Sequence, residues 1–356
     1  MSKCIIIDLG SLTHHAIFAW NSLKQKEVNN QLPENTWIPP SHYTFFQMLI
    51  SLLKRVGVNK DDVVILAGDG RNSWRKFYYR NYKAQRQEFR ESHELIDWSF
   101  HYRKIGEVIQ AIDEATNFHI IWLSNLWNVA DLLFAEEGQK FVNENEVDDE
   151  SLAYSPEADD IASIASRYYK DKEIILVTKD ADWEMLITDS RIKFFSMNTK
   201  WKGGTGVYKE VNNPYKILAT KIEKGDISDN ILPNKTDDNS EKAQQIRELI
   251  IDLIHLPKWV EEPIVEILKN LPKKEEDFSK LPFSNSLAKR FPDIYKKDKI
   301  ITYEDSMERK KVKAKNKKEK LKKEKTKSMR RKSSVKKLRN KRSTKAIAKT
   351  RNKSQV

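Results

Sequence analysis

The six residues Ser155-Pro156-Glu157-Ala158-Asp159-Asp160 put three carboxylates within four positions. Two more, Asp180 and Asp182, follow the short apolar run 174–177, and Asp8 and Asp69 end two other apolar runs at 3–7 and 63–67. Asp226 and Asp229 stand close together in Gly225-Asp226-Ile227-Ser228-Asp229-Asn230. A single acid in the first turn of a helix has a plain explanation, since it complements the helix dipole. Nine carboxylates converging on one cleft do not, because like charges so close stay ionised only when cations share the site. Oxygen ligands without His or Cys suit magnesium, with manganese as a substitute, over zinc. Two such ions are a standard arrangement for in-line attack on a phosphodiester.

A second feature lies between Asp69 and the next helix. Arg71, Trp74, Arg75, Lys76, Phe77, Arg80, Tyr82, Lys83 and Arg86 interleave cations with rings, and only Glu88 opposes them up to Arg90. Cations track phosphates and rings stack on unpaired bases, so the stretch reads as a single-strand funnel. An amphipathic helix with a solvated basic face would give the same composition; adjacency to the acids favours nucleic acid.

These residues need a scaffold that gathers strand ends. The runs 3–7, 63–67, 118–123 and 174–177 read as buried strands, and 12–23, 43–56 and 105–116 as helices. Ser155 is a reasonable N-cap and Pro156 a first helical residue for the helix that carries Asp159 and Asp160. Strands alternating with helices indicate an α/β fold with a parallel, doubly wound sheet, whose chemistry lies at the carboxyl ends of the strands. This core spans 1–230 and includes an acidic insertion at 125–154. From 231 to 307 the period is helical, punctuated by Pro257, Pro263, Pro272, Pro282 and Pro292, which implies a small helical C-terminal subdomain. The run 308–356 has no apolar periodicity and is expected to be disordered when free.

The chain of 356 residues has a formal charge of +13, but the average conceals a division. From Arg309 onward 24 basic residues face two acids, Glu319 and Glu324, leaving 41 basic and 50 acidic residues before it. The acidic part should repel nucleic acid except at its basic stretch, and the tail is expected to act as a polycationic tether. One cysteine, Cys4, excludes an internal disulfide. The absence of a secretion signal or long apolar span implies a cytoplasmic protein, in the host cytoplasm if phage-encoded, with no membrane association.

Taken in order, Asp8, Asp69 with Trp74-Arg75-Lys76-Phe77 and Tyr82-Lys83-Ala84-Gln85-Arg86, Glu-Ala-Asp-Asp at 157–160, Thr-Lys-Asp-Ala-Asp-Trp at 178–183 and Gly-Asp-Ile-Ser-Asp-Asn at 225–230 resemble a known set. The chain is similar to the structure-specific 5′-nucleases, the family of flap endonucleases and of the 5′-nuclease domain of bacterial DNA polymerases. The resemblance implies a PIN-like fold, with a central mostly parallel sheet flanked by helices, and two magnesium ions. Asp8, Asp69, Asp159 and Asp180 would hold the first ion with Glu157 and Asp160 adjoining, and Asp182, Asp226 and Asp229 would hold or orient the second. Lys83 and Arg86 of a helical arch would meet the scissile phosphate with Arg75 at the arch base. Tyr82 would stack on or position the substrate, beside Trp74, Arg71 and Arg80.

The implied partners are DNA and RNA–DNA hybrid with free 5′ ends or flaps, bound by a monomer, together with single-stranded-DNA-binding or other replication proteins. One departure is the replacement of the family's Gly-x-Gly hairpin by Ile231-Leu232-Pro233-Asn234-Lys235-Thr236-Asp237-Asp238, which alters its grip on duplex. Two other classes stay open: a PIN-type ribonuclease acting on free RNA, and an inactive nucleic-acid-binding homologue.

Overall fold

Apolar, β-branched runs without alternation belong in strands covered on both faces. The computed structural model describes residues 2–142, 151–197, 206–232, 241–277 and 281, and places the runs 3–7, 63–67 and 174–177 at the middle of its sheet, whereas 118–123, expected to be buried, supplies a partly exposed edge strand. The strands are β1 (Lys3–Asp8), β2 (Val63–Gly68), β3 (His119–Trp122), β4 (Trp127–Asn128), β5 (Ala153–Tyr154), β6 (Glu173–Thr178), β7 (Ile192–Ser196) and β8 (Val207–Lys209). Six of them form one sheet in the order β3-β2-β1-β6-β7-β8, parallel except for the edge strand β8. In register, Ile6 lies between Ile65 and Leu176, so the carboxyl ends of β1, β2 and β6 emerge side by side. Asp8 ends β1, Asp69 follows β2 directly, and Asp180 lies two residues past β6.

Helices cover both faces. Cys4, Ile6, Ile65, Ala67, Ile174 and Leu176 join Ile161, Ile164 and Ala165 of helix α8 (Ala158–Tyr168) in one core cluster. The alternate residues of the same strands face the other way, toward α1 (Leu9–Val28), α2 (Ser41–Val56) and α5 (Trp98–Ala115). Between α2 and α5 in the chain lie two short helices, α3 (Arg75–Tyr78) and α4 (Gln85–Glu91). The expected mixed α/β architecture with a mostly parallel sheet is therefore the one observed. Strands β7 and β8, which the sequence reading left out, extend it beyond β6. Asp8 caps α1 by accepting Ser11 N–H at 2.8 Å, so that helix begins at the strand end, earlier than its apolar stripe.

Three local expectations are corrected. Helix α8 runs Ala158–Tyr168 with Glu157 as N-cap, whereas Ser155 and Pro156 lie before it: Asp160 reaches back to the Glu157 N–H at 2.9 Å, while the Ser155 hydroxyl is used by the Asn125 N–H. The region 125–154 is partly folded. Antiparallel β4 and β5 bracket α6 (Val129–Phe134) and α7 (Glu136–Phe141), and its most acidic residues, 143–150, lie outside the described part. Farther on, α9 (Pro214–Lys224), α10 (Glu241–Ile251) and α11 (Lys258–Lys269) follow. Pro263 sits inside α11 instead of ending it. Ile250, Leu253, Val260 and Ile264 belong to the core cluster that contains α8, and Arg167 donates to the Ile254 carbonyl at 2.7 Å, so this region is packed directly on the sheet's helical cover. Pro282, Pro292, most of the altered hairpin and the basic tail lie outside the described residues.

Candidate active site

Three carboxylates at strand ends and one in the first turn of α8 share one cavity. Asp8, Asp69, Asp159 and Asp180 line a space of about 310 Å³, and Lys83 and Arg86 line it from the arch side. Each acid is aimed by a local bond. Asp8 accepts the Thr178 and Ser11 hydroxyls, both at 2.6 Å. Asp69 accepts the Ala158 N–H at the start of α8 at 3.0 Å, and Asp159 accepts Trp183 Nε1 at 2.6 Å. Asp180 accepts the Asp182 N–H at 2.9 Å.

The electrostatics are those of crowded acids. Burial, then the charge of Asp69, pushes the Asp8 carboxyl up to about 6. Burial also raises Asp159 well above its ordinary range, with Asp180 and Glu157 adding to it against the opposing pull of Lys83. The opposite wall is positive: His14 is driven down to about 4 by burial and then by Arg86, Arg90 and Lys179, so it stays neutral. Oxygen-only donors, with the ionised forms of Asp8 and Asp159 disfavoured by their surroundings, fit a hard divalent cation.

A second group lies alongside. Among the described residues, the carboxylates with ligand atoms all within 4.8 Å of one another are Asp182, Asp226 and Asp229. Gly225, at φ 70°, makes the turn before Asp226 possible; a Cβ there would meet the Ile231 carbonyl oxygen at 2.3 Å. The chain's own donors already serve this trio. Lys221 of α9 bridges Asp182 and Asp226, and Asp229 accepts Tyr82 OH at 3.0 Å and Arg86 at 3.1 Å. Burial, then Asp180, pushes Asp182 up to about 7 despite Lys221. Burial alone would also raise Asp226, but bonds from Lys221 and Ser228 outweigh it and leave that carboxyl below its ordinary range. Sequence reasoning missed Lys221, Ser11, Thr178 and Trp183. Lys221 lies five residues before Asp226, but nothing in a helix's composition marks which lysine turns toward a loop.

Between the two groups stands Glu157, whose oxygens are taken from within. Lys83 Nζ is 2.5 Å from Oε1, while Arg75 at 3.1 Å and Tyr82 OH at 2.8 Å share Oε2. Burial would raise this carboxyl, but Lys83 and Arg75 hold it down at about 2. Lys83 itself has a left-handed backbone, φ 58°, a conformation that costs a non-glycine residue on the order of 1 kcal/mol. Its N–H donates to the Asp229 carbonyl at 2.9 Å, which helps to hold it there.

Several expected site residues have other duties. Asp160, expected near the first ion, is fully buried and both its oxygens are filled: Arg75 reaches Oδ1 at 2.7 Å, and Arg75, Trp74 Nε1 and the Glu157 N–H share Oδ2. It does not fit a metal ligand. Arg75, expected at the arch base as one of the catalytic cations, is 1% exposed and also donates to the Ile250 carbonyl; it ties α3 to α8 and α10. Trp74 and Tyr82 are 0% and 2% exposed, so neither ring has a face for a base. Arg71 and Arg80 line a different cavity, beside β5.

Carboxylates gathered at three strand ends and the start of α8, facing Lys83 and Arg86, define a candidate centre for metal-assisted chemistry. No family model and no curated protein matches the chain. Solved structures similar to it include the T5 D15 protein co-crystallised with metal ions, at 15% identity over 83% of this chain and 99% of that one, with a TM-score of 0.42. A T5 5′-exonuclease mutant is similar at 16% identity over 83% and 100% of the two chains, with a TM-score of 0.36.

Proposed function

We propose that this chain is a divalent-metal-dependent 5′-nuclease that hydrolyses phosphodiesters of RNA primers, DNA 5′ ends or flaps in replication or repair. Within that family its motif string resembles the T-even phage ribonuclease H. The observation that carries the reading is the single cavity lined by Asp8, Asp69, Asp159 and Asp180 on one side and by Lys83 and Arg86 on the other. A magnesium or manganese ion held by those four carboxylates would supply Lewis-acid stabilisation and a more acidic water. The chain's own cations do the rest. Arg86, half-exposed, can meet a phosphate directly, and Lys83 brings a fixed positive charge to the point where phosphoryl oxygens gain negative charge. Asp182, Asp226 and Asp229 would serve a second ion in place of Lys221. A monomer acting with single-stranded-DNA-binding or other replication proteins in the cytoplasm completes the reading. Among the described residues no helix is long and apolar enough to cross a membrane.

The deciding experiment incubates labelled nicked duplex, 5′-flap and RNA–DNA hybrid with magnesium, then with chelator, and repeats each with the 5′ end blocked. Metal-dependent cleavage of the open forms alone is expected. Equal cleavage of blocked and open ends, or of free RNA alone, overturns the reading in favour of a PIN-type ribonuclease.

A further inference from the structure

The two groups of acids are held by different kinds of donor. Asp8, Asp69 and Asp159 accept from hydroxyls, a backbone N–H and an indole, neutral partners that leave the negative charge in place. Asp182 and Asp226 meet a cation instead. Asp182 opens a 3₁₀ turn, Asp182–Leu186, on which α9 packs. Lys221 lies in the last turn of α9, and its ammonium bridges Asp182 Oδ1 and Asp226 Oδ2. Ser228 takes the other oxygen of Asp226, through its N–H at 2.9 Å and its hydroxyl at 2.5 Å. The Lys221 side chain is only 20% exposed, so water screens these pairs weakly. Burial opposes its charge, but Asp182 and Asp226 more than restore it.

We propose that Lys221 is a tethered counter-ion that a divalent cation must displace to enter the group of Asp182, Asp226 and Asp229, so that two ions bind in order, the cavity of Asp8, Asp69, Asp159 and Asp180 filling first. The inference deepens the nuclease reading above and rests on its second ion. Lys221 is five residues from Asp226, and a short tether of this kind supplies a local concentration of about millimolar order whatever the solution holds. A divalent ion therefore competes with a cation that dilution does not remove. The lysine has a second duty. Three carboxylates this close repel one another when ionised, and the ammonium keeps Asp182 and Asp226 together in the metal-free protein. Its flexible four-carbon stem allows the ammonium to leave both oxygens while α9 stays packed.

The test titrates manganese by calorimetry into the full-length, metal-free protein without nucleic acid, for the wild type and for Lys221→Met, Lys221→Gln and Lys221→Arg. The wild type is expected to bind one ion and then a second more weakly. In Lys221→Met and Lys221→Gln the second step should tighten by about tenfold or more, each tenfold being about 1.4 kcal/mol, while the first step stays put. Lys221→Arg keeps the charge and should keep the weak second step. Melting curves run alongside: metal-free Lys221→Met should melt below the wild type and gain more from manganese, since binding stabilises by mass action. Should Lys221→Met be unfolded without metal, Lys221→Gln, which keeps an amide donor, carries the comparison. Adding Asp226→Asn to the neutral variant should abolish the tightened step. Two equally tight steps in the wild type overturn the proposal, as does a second step that is unchanged or weakened in the neutral variants. So does a step that tightens equally in Lys221→Arg or survives Asp226→Asn. Failure of the wild type to cleave any substrate would sink the nuclease reading instead, because ion binding is read without nucleic acid.

Discussion

The Lys83 ammonium lies 2.5 Å from Glu157 Oε1 and 3.8 Å from Asp229 Oδ2, so one arch lysine touches both an acid of α8 and an acid of the second carboxylate group. Burial disfavours its charge, but Glu157 and then Asp229 more than restore it, and its proton is held more tightly than an ordinary lysine's. Lys83→Ala should therefore cost far more in chemistry than in binding. Loss of one preorganised electrostatic partner lowers turnover by about 10²–10³. Single-turnover rates compared with affinities measured in chelator check this; a parallel loss of both would remove Lys83 from the reacting phosphate.

Asp159→Asn removes a carboxylate from the strand-end cavity without touching the arch. Cleavage should be lost, substrate binding in chelator should stay near wild type, and titration calorimetry should show weaker manganese binding. Near-normal turnover would dismiss Asp159 as a ligand.

Asp160→Asn should behave in the opposite way, although the two residues are adjacent. It leaves the Arg75 guanidinium buried with only Glu157 as a charged partner. Truncating one member of a buried pair costs about 3–5 kcal/mol. Urea unfolding should show that loss, while manganese affinity of the folded protein should be close to wild type.

The effect of divalent ions on melting temperature should depend on pH. Asp8 and Asp182 are raised to about 6 and about 7, so below those values they hold protons that a metal must displace. Stabilisation by magnesium or manganese should be full at pH 8, where at a hundred times Kd it amounts to about 2.7 kcal/mol. It should decline through pH 7 to 6 and be small at pH 5. Calorimetric scans with and without metal at each pH isolate this term from other titrations. A pH-independent difference would mean that neither carboxyl meets the ion.

Much of this was readable from residue order. Asp8, Asp69 and Asp180 follow continuous apolar runs, and parallel strands in one sheet bring their carboxyl ends together whatever the connections do. The basic stretch was not readable in the same way. Trp74, Arg75 and Tyr82 differ little in type from the residues around them, and only packing against α8 and α10 decides that they turn inward while Arg71 and Arg80 face another cavity. Asp160 was misread for the same reason, since an acid beside Asp159 looks like a second candidate ligand until its partner Arg75 is seen 85 residues away. Lys221 could be found only by seeing α9 turn toward the 226–229 loop.

The basic stretch that carries Lys83 is fastened to the 228–230 loop. The Lys83 N–H is held by the Asp229 carbonyl, Gln85 Nε2 donates to the Ser228 carbonyl at 2.6 Å, and Asn230 Nδ2 donates to the Asn81 carbonyl at 2.8 Å. Three stitches to one short loop make the segment from Asn81 to Gln85 a clamp, not a hinge. Bending of this basic stretch is therefore left to the part of α4 beyond Gln85 and to the link to α5, with Lys83 kept in register with Glu157 and Asp229.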